Sequence, residues 1–182
     1  RPAPAAGSQT GRSTRPGGAA ARSVLPLHRA RSADGQGSRE RPDDARGWEL
    51  LARSMSAMGR FPEAVEAYEK LASLAPGNAQ VLADWADALG MAQGRTLRGR
   101  PRELAEQALA IEPQHPKALA LAGTAALDAG EYPAAMGYWQ RLADTLPADS
   151  ADAAQVRTII DEVRQRAGPG AVFPKGPLAP AP

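Results

Sequence analysis

From Pro42 to about Gly168, apolar residues recur three or four positions apart, with no sustained alternation of the kind that marks strands. The pattern predicts helices at about 45–58, 61–75, 78–92, 101–111, 115–129, 132–146 and 150–167. The punctuation between them repeats. Gly59-Arg60-Phe61-Pro62-Glu63-Ala64 has the same order as Gly130-Glu131-Tyr132-Pro133-Ala134-Ala135: a glycine closes one helix, an aromatic follows two residues on, and a proline opens the next. Each reads as the turn of a helical hairpin. Pro76, Pro113 and Pro147 each end a second helix, at separations of 37 and 34 residues, whereas Trp48, Leu82 and Leu119 on the first helices are separated by 34 and then 37. The three additional residues therefore fall between the helices of the middle unit, within Gly90 to Arg102. There Gly94-Arg95-Thr96-Leu97-Arg98-Gly99-Arg100-Pro101 reads as an enlarged basic loop.

A period of 34 residues with two helices per unit resembles the tetratricopeptide repeat. Trp48, Leu51, Ala52, Gly59, Phe61, Ala64, Tyr68 and Pro76 take that family's large, small and turn positions in the first repeat, and Leu119, Gly123, Gly130, Tyr132, Ala135, Trp139 and Pro147 in the third. The middle repeat keeps Leu82, Trp85, Ala86, Leu89, Ala105, Ala108 and Pro113 but lacks the glycine and aromatic of the inter-helix turn. The expected fold is all-α, a superhelix of three helix pairs (about 45–78, 79–115 and 116–149) closed by a capping helix over about 150–167. Asp149 or Ser150 is the expected N-cap of that last helix. Its stripe of Val156, Ile159, Ile160 and Val163 lies opposite Arg157, Asp161, Arg164 and Gln165.

Composition agrees with this reading. A chain of 182 residues that is 43% hydrophobic can build one core of ordinary size, and with only eight aromatic residues that core must rest on alanine and small aliphatics. The absence of cysteine excludes disulfides, thiolate metal sites and a thiol nucleophile. No apolar run is long enough to span a membrane, and the opening at Arg1 points to a processed or partial chain.

Charge separates two regions. Residues 1–41 carry eight arginines against Asp34 and Glu40, a net +6, while residues 42–182 carry 14 basic and 18 acidic groups, a net −4. The first segment reads as a disordered arm rich in Arg, Gly, Pro and Ala, and residues 168–182, rich in proline and glycine, as a flexible tail. The arm has no aromatic side chain on which a base could stack, so a solvated arm is preferred over a nucleic-acid partner.

Little in the chain suggests catalysis. His28 stands alone in the arm, and His115, in Pro113-Gln114-His115-Pro116, reads as a turn or capping residue just before a helix. No H-E-x-x-H, P-loop, G-x-S-x-G or G-x-G-x-x-G occurs. A non-enzyme with no metal and no cofactor is expected.

One stretch carries a narrower likeness. The run Val81-Leu82-Ala83-Asp84-Trp85-Ala86-Asp87-Ala88-Leu89-Gly90-Met91-Ala92-Gln93-Gly94-Arg95 with its basic loop, His115-Pro116-Lys117-Ala118-Leu119-Ala120-Leu121-Ala122-Gly123-Thr124-Ala125-Ala126, and Tyr138-Trp139-Gln140-Arg141-Leu142 resemble the periplasmic domain of the bacterial cytochrome c biogenesis factor CcmI, also called CycH. The resemblance spans about residues 42–167 and includes the expansion of the middle unit. It implies an assembly factor for haem ligation, anchored in the inner membrane, whose periplasmic repeats hold apocytochrome c for other subunits of the haem ligation complex. Family members carry two membrane helices and a leucine-zipper-like loop ahead of the repeats; residues 1–41 supply neither, so membrane attachment is expected only through a segment absent from this chain. A generic tetratricopeptide scaffold for another protein is the alternative.

The first helices of a tetratricopeptide superhelix line its concave surface. The repeat register carries that surface onto Arg46, Glu49 and Arg53, then Gln80, Ala83, Asp87 and Met91, then Lys117, Ala120, Thr124 and Leu127. Ala83, Ala120 and Thr124 are expected to leave room, Met91 and Leu127 to offer apolar contact, and Arg53, Asp87 and Lys117 to pair with charges on an amphipathic helix. By resemblance that helix is the C-terminal helix of an apocytochrome c, with Arg95, Arg98 and Arg100 of the basic loop steering acidic clients towards the groove.

Overall fold

The computed structural model describes residues 44–173. The predicted arm over residues 1–41 and the part of the predicted tail beyond Phe173 lie outside the described residues. Among the described residues there are seven α-helices: α1 (Ala45–Ala57), α2 (Phe61–Leu74), α3 (Ala79–Ala92), α4 (Arg100–Ile111), α5 (Pro116–Asp128), α6 (Tyr132–Thr145) and α7 (Ala151–Ala167). Every helix end falls within one residue of its predicted place. Each helix packs on the next in chain order, and α3 also meets α5, which places the first helices α3 and α5 side by side on one surface of the array.

Two kinds of helix start alternate along the chain. The first helices and α7 begin at side-chain caps, which satisfy backbone N–H groups left open by the first turn. Asp44 Oδ1 accepts from the Gly47 N–H at 3.0 Å, Asn78 Oδ1 from Val81 at 3.2 Å, His115 Nδ1 from Ala118 at 3.3 Å and Ser150 Oγ from Ala153 at 3.1 Å. The second helices α2, α4 and α6 have no side-chain cap and open instead on a proline in the first turn, Pro62, Pro101 and Pro133. Between α1 and α2, and again between α5 and α6, the chain turns on a left-handed glycine. Gly59 has φ 71° and Gly130 φ 74°, and the next N–H closes the preceding helix, Arg60 onto the Met55 carbonyl and Glu131 onto that of Ala126, both at 2.9 Å.

The core is continuous but has two centres. Leu51, Ala52, Ala64, Ala67, Tyr68 and Leu71 of the first repeat pack with Val81 and Ala88 on one face of α3. The opposite face of α3, with Ala79, Ala83 and Ala86, joins a larger cluster through Leu104, Leu119, Met136 and Trp139 to Val156, Ile160 and Val163 of α7. Trp85 touches both. The cap works as predicted: α7 turns its Val/Ile stripe inward and leaves Arg157, Asp161, Arg164 and Gln165 exposed, so the last repeat does not end on an apolar edge.

Close approach is concentrated at Gly123. A Cβ built there would lie 2.8 Å from the indole Nε1 of Trp139 and 2.9 Å from its Cε2, so the ring of α6 rests directly on the backbone of α5. One expectation fails at the C-terminus. The chain does not become a free tail at Gly168: it turns there with φ 80°, the Ala171 N–H bonds the Gly168 carbonyl at 3.2 Å, and Phe173 packs half-buried against the larger core. Proline and glycine forbid a helix in this stretch but do not prevent a turn that returns an aromatic side chain to the core.

Candidate functional site

The surface shared by α3 and α5 carries a connected polar network. Lys117, in the first turn of α5, places its Nζ 2.7 Å from Asp84 Oδ1 and 2.8 Å from Asp87 Oδ2 on α3. Gln80 Nε2 donates to Asp84 Oδ2 at 3.0 Å, and Gln80 Oε1 lies 3.2 Å from His115 Nε2. His115 is only 5% exposed. Because its Nδ1 accepts the Ala118 N–H, the ring proton resides on Nε2, which donates to Gln80. The cap of α5 is thus linked through Gln80 and Asp84 to the ammonium two residues further on.

Electrostatics on this surface follow from the count of charges, two carboxylates to one ammonium. Burial would lower the pKa of Lys117; its hydrogen bonds to Asp84 and Asp87 outweigh that and hold it above the ordinary lysine range. Behind the network, burial raises the Tyr68 phenol and the negative charge of Asp84 adds to the effect.

Of the residues expected on the concave face, the structure brings Gln80, Asp87 and Lys117 together. Ala120 and Thr124 follow along α5, half-buried, and the Thr124 hydroxyl is taken up within its own helix, donating to the Ala120 carbonyl at 2.8 Å. Met91 and Leu127 are half-buried, with Leu127 resting on the core. Arg46, Glu49 and Arg53 are exposed on α1, where Arg53 reaches Glu49 at 3.6 Å.

Three expectations need correction. Ala83 does not line the surface: it is 0% exposed and belongs to the core, because α3 has packed helices on two sides and the position falls on the inner one. Asp87 and Lys117 are not free to await a partner's charges, since each already holds the other across the α3–α5 seam. Arg100 is likewise engaged. Its guanidinium stacks 5.6 Å from the centroid of the Trp85 ring and pairs with Glu103 at 3.1 Å, leaving only Arg95 and Arg98 exposed and unpaired in the basic loop. Asp84 and the Gln80 bridge to His115 were missed. The i,i+3 spacing of Asp84 and Asp87 was a signal for one acidic stripe on α3, facing the Lys117 that the register already placed on the same surface.

Arg102 forms a second inter-helix ion-pair group. It meets Glu106 at 2.8 Å and Glu131 through two bonds of 2.9 and 2.7 Å, joining the start of α4 to the α5–α6 turn. The hydrogen bond from Arg102 is the main cause that lowers the Glu131 carboxyl below its ordinary value.

The sequence profile of the family described as "Cytochrome c-type biogenesis protein H TPR domain" matches residues 39–153, which takes in α1 to α6 and the whole polar network. This chain belongs to the CycH family. The CycH protein of Pseudomonas aeruginosa is 33% identical over 140 residues, covering 77% of this chain and 34% of the relative, and that of Rhizobium meliloti is 30% identical over 130 residues, covering 71% and 34%. The chain therefore spans about a third of the length of these CycH relatives. Among solved structures, the Sgt2 TPR domain from Aspergillus fumigatus aligns with TM-score 0.60 at 21% identity, over 76% of this chain and 91% of that one. MamA aligns with TM-score 0.60 at 16% identity, over 75% and 82%. Those likenesses establish the repeat fold. Among the described residues of this CycH domain no helix is long and apolar enough to cross a membrane.

Proposed function

We propose that this CycH domain holds apocytochrome c in the concave surface of its repeats and presents it to the haem ligation machinery in the periplasm. Family membership carries the reading, because the matched residues include the helices that form the α3–α5 surface. The chemistry of that surface supports a helical client. Half-buried Ala120, Thr124 and Leu127 on α5 and Met91 on α3 supply small and apolar side chains, beside a polar seam in which Lys117 is held by Asp84 and Asp87. An amphipathic helix can lay its apolar face on these side chains and its polar face along the seam. The role is one of holding, with no bond made or broken in the client. The client segment is the C-terminal helix of the apocytochrome, and the partners in delivery are other subunits of the haem ligation complex.

Titration of the protein with a synthetic C-terminal helix of an apocytochrome c tests this. Saturable binding is expected, and Ala120→Trp combined with Asp87→Ala is expected to abolish it by obstructing the surface and opening the seam. Absence of binding to the unaltered protein, or binding that survives both substitutions, would remove the reading.

A further inference from the structure

The enlarged loop between α3 and α4 follows directly on the last turn of α3. It occupies residues 93–99, where the equivalent turns use only residues 58–60 and 129–131. It is an ordered structure. The Thr96 N–H bonds the Gly90 carbonyl at 3.1 Å, the Thr96 Oγ1 accepts from the Arg98 N–H at 3.4 Å, and Leu97 folds inward so closely that a Cβ on Gly90 would sit 2.8 Å from its Cδ2. Arg95 is held at φ 66°, the one non-glycine residue with positive φ among those described. An arginine has no preference for this conformation, so the surrounding loop imposes it.

The charge of the loop is equally unusual for this domain. Arg53, Arg60, Arg102, Arg164 and Arg166 each face a carboxylate, and Arg141 and Arg157 donate to backbone carbonyls. Arg95 and Arg98 are exposed with no acidic partner among the described residues, as is Arg46 on α1. The nearby Glu103 and Glu131 are already taken by Arg100 and Arg102. Two uncompensated guanidinium groups thus project from a braced loop, although residues 42–182 as a whole carry a net −4.

We propose that this loop is a second docking site, for an acidic segment of a partner protein whose carboxylates pair with Arg95 and Arg98. Guanidinium groups bind carboxylates in a two-pronged geometry, and holding them on a rigid loop lowers the entropy lost on docking. A bilayer is the poorer fit. The loop's one large apolar side chain, Leu97, is turned onto Gly90 and leaves nothing to insert, and two arginines alone hold an anionic surface weakly. Arg95 and Arg98 take part in none of the ion pairs or side-chain hydrogen bonds of the α3–α5 seam, so this docking site does not rest on the apocytochrome reading.

Amide NMR of the full chain, titrated at low salt with hexaglutamate and separately with phosphatidylglycerol/phosphatidylcholine vesicles, localises the response to the loop. Saturable shifts at Arg95 to Arg98 are expected with hexaglutamate, weakened roughly tenfold in Arg95→Asn/Arg98→Gln. Asparagine tolerates the left-handed backbone better than arginine, so the melting temperature of this variant is expected to hold or rise while binding falls. A loop that served only structure would not separate the two readouts in this way. Arg98→Gln alone, which leaves the strained residue in place, carries the same test should the double variant fail to fold. Loop amides that ignore hexaglutamate, that respond only to vesicles, or that shift equally in the variants would overturn the proposal.

Discussion

Replacing Gly123 by alanine separates two opposing effects whose sizes follow from the structure. In a helix interior, alanine is favoured over glycine by roughly 0.5–1 kcal/mol. At this position the new methyl group would stand 2.8 Å from Trp139 Nε1 and 3.2 Å from its Cδ1, both inside normal contact, against a buried ring with little freedom to retreat. Overpacking of this kind costs about 1–3 kcal/mol. The net expectation is a destabilisation of roughly 1 kcal/mol, a fall of about 3–5 °C in melting temperature for a domain of this size. Thermal denaturation of Gly123→Ala, Trp139→Phe and the double variant resolves the terms. Phenylalanine lacks the pyrrole atoms that make the close approach, so the double variant is expected to lose less stability than the two single losses added together. A Gly123→Ala protein that melts higher than the parent, with effects strictly additive with Trp139→Phe, would refute the claim that the indole rests on the α5 backbone.

Three further outcomes are expected. Ala135→Leu inserts a branched side chain at a position that is 0% exposed, and should lower stability by about 1–3 kcal/mol in the same melt; an unchanged melt would place residue 135 on the surface. The Glu131 carboxyl is lowered by Arg102, so its contribution to stability is present above the ordinary glutamate value of about 4.3 and fades as the pH falls below it. Stability measured from pH 7 to pH 3 should therefore decline less steeply in Glu131→Gln, by well under 1 kcal/mol at this exposed site, and identical slopes would contradict the assignment. Gly90→Ala should push Leu97 outward and speed hydrogen exchange at the Thr96 N–H, and unchanged exchange there would mean that the loop is not braced through Gly90.

The repeat architecture was legible because its signals are local and repeated. Left-handed glycines, first-turn prolines and the 34-residue step each fix a backbone event at one place, and the surplus residues of the middle unit had only one place to go. The site was less legible, for two physical reasons. Surface membership depends on what packs across a helix, and α3 has neighbours on two sides, so the repeat register assigned Ala83 to a face that packing has closed. Partner choice among charges depends on distances between helices: spacing could mark Asp84 and Asp87 as one stripe, but the pairing of Lys117 with both, of Arg102 with Glu131 and of Arg100 with Trp85 joins residues brought together by the fold. His115 was read as a capping residue and is one, but its second nitrogen reaches Gln80, 35 positions away in the chain. Phe173 shows the same limit in reverse. A segment unable to form a helix still packed, because one aromatic side chain found an open place on the core.

The α3–α5 surface is proposed to hold the client helix. Amide chemical-shift mapping of the protein with a C-terminal apocytochrome c helix tests it most directly, because it reports where the helix lies as well as whether it binds. Saturable shifts are expected at Asp84, Asp87, Lys117, Ala120 and Thr124, with α2, α4 and α6 left unmoved. Shifts confined to those outer helices, or no shifts at saturating peptide, would contradict it.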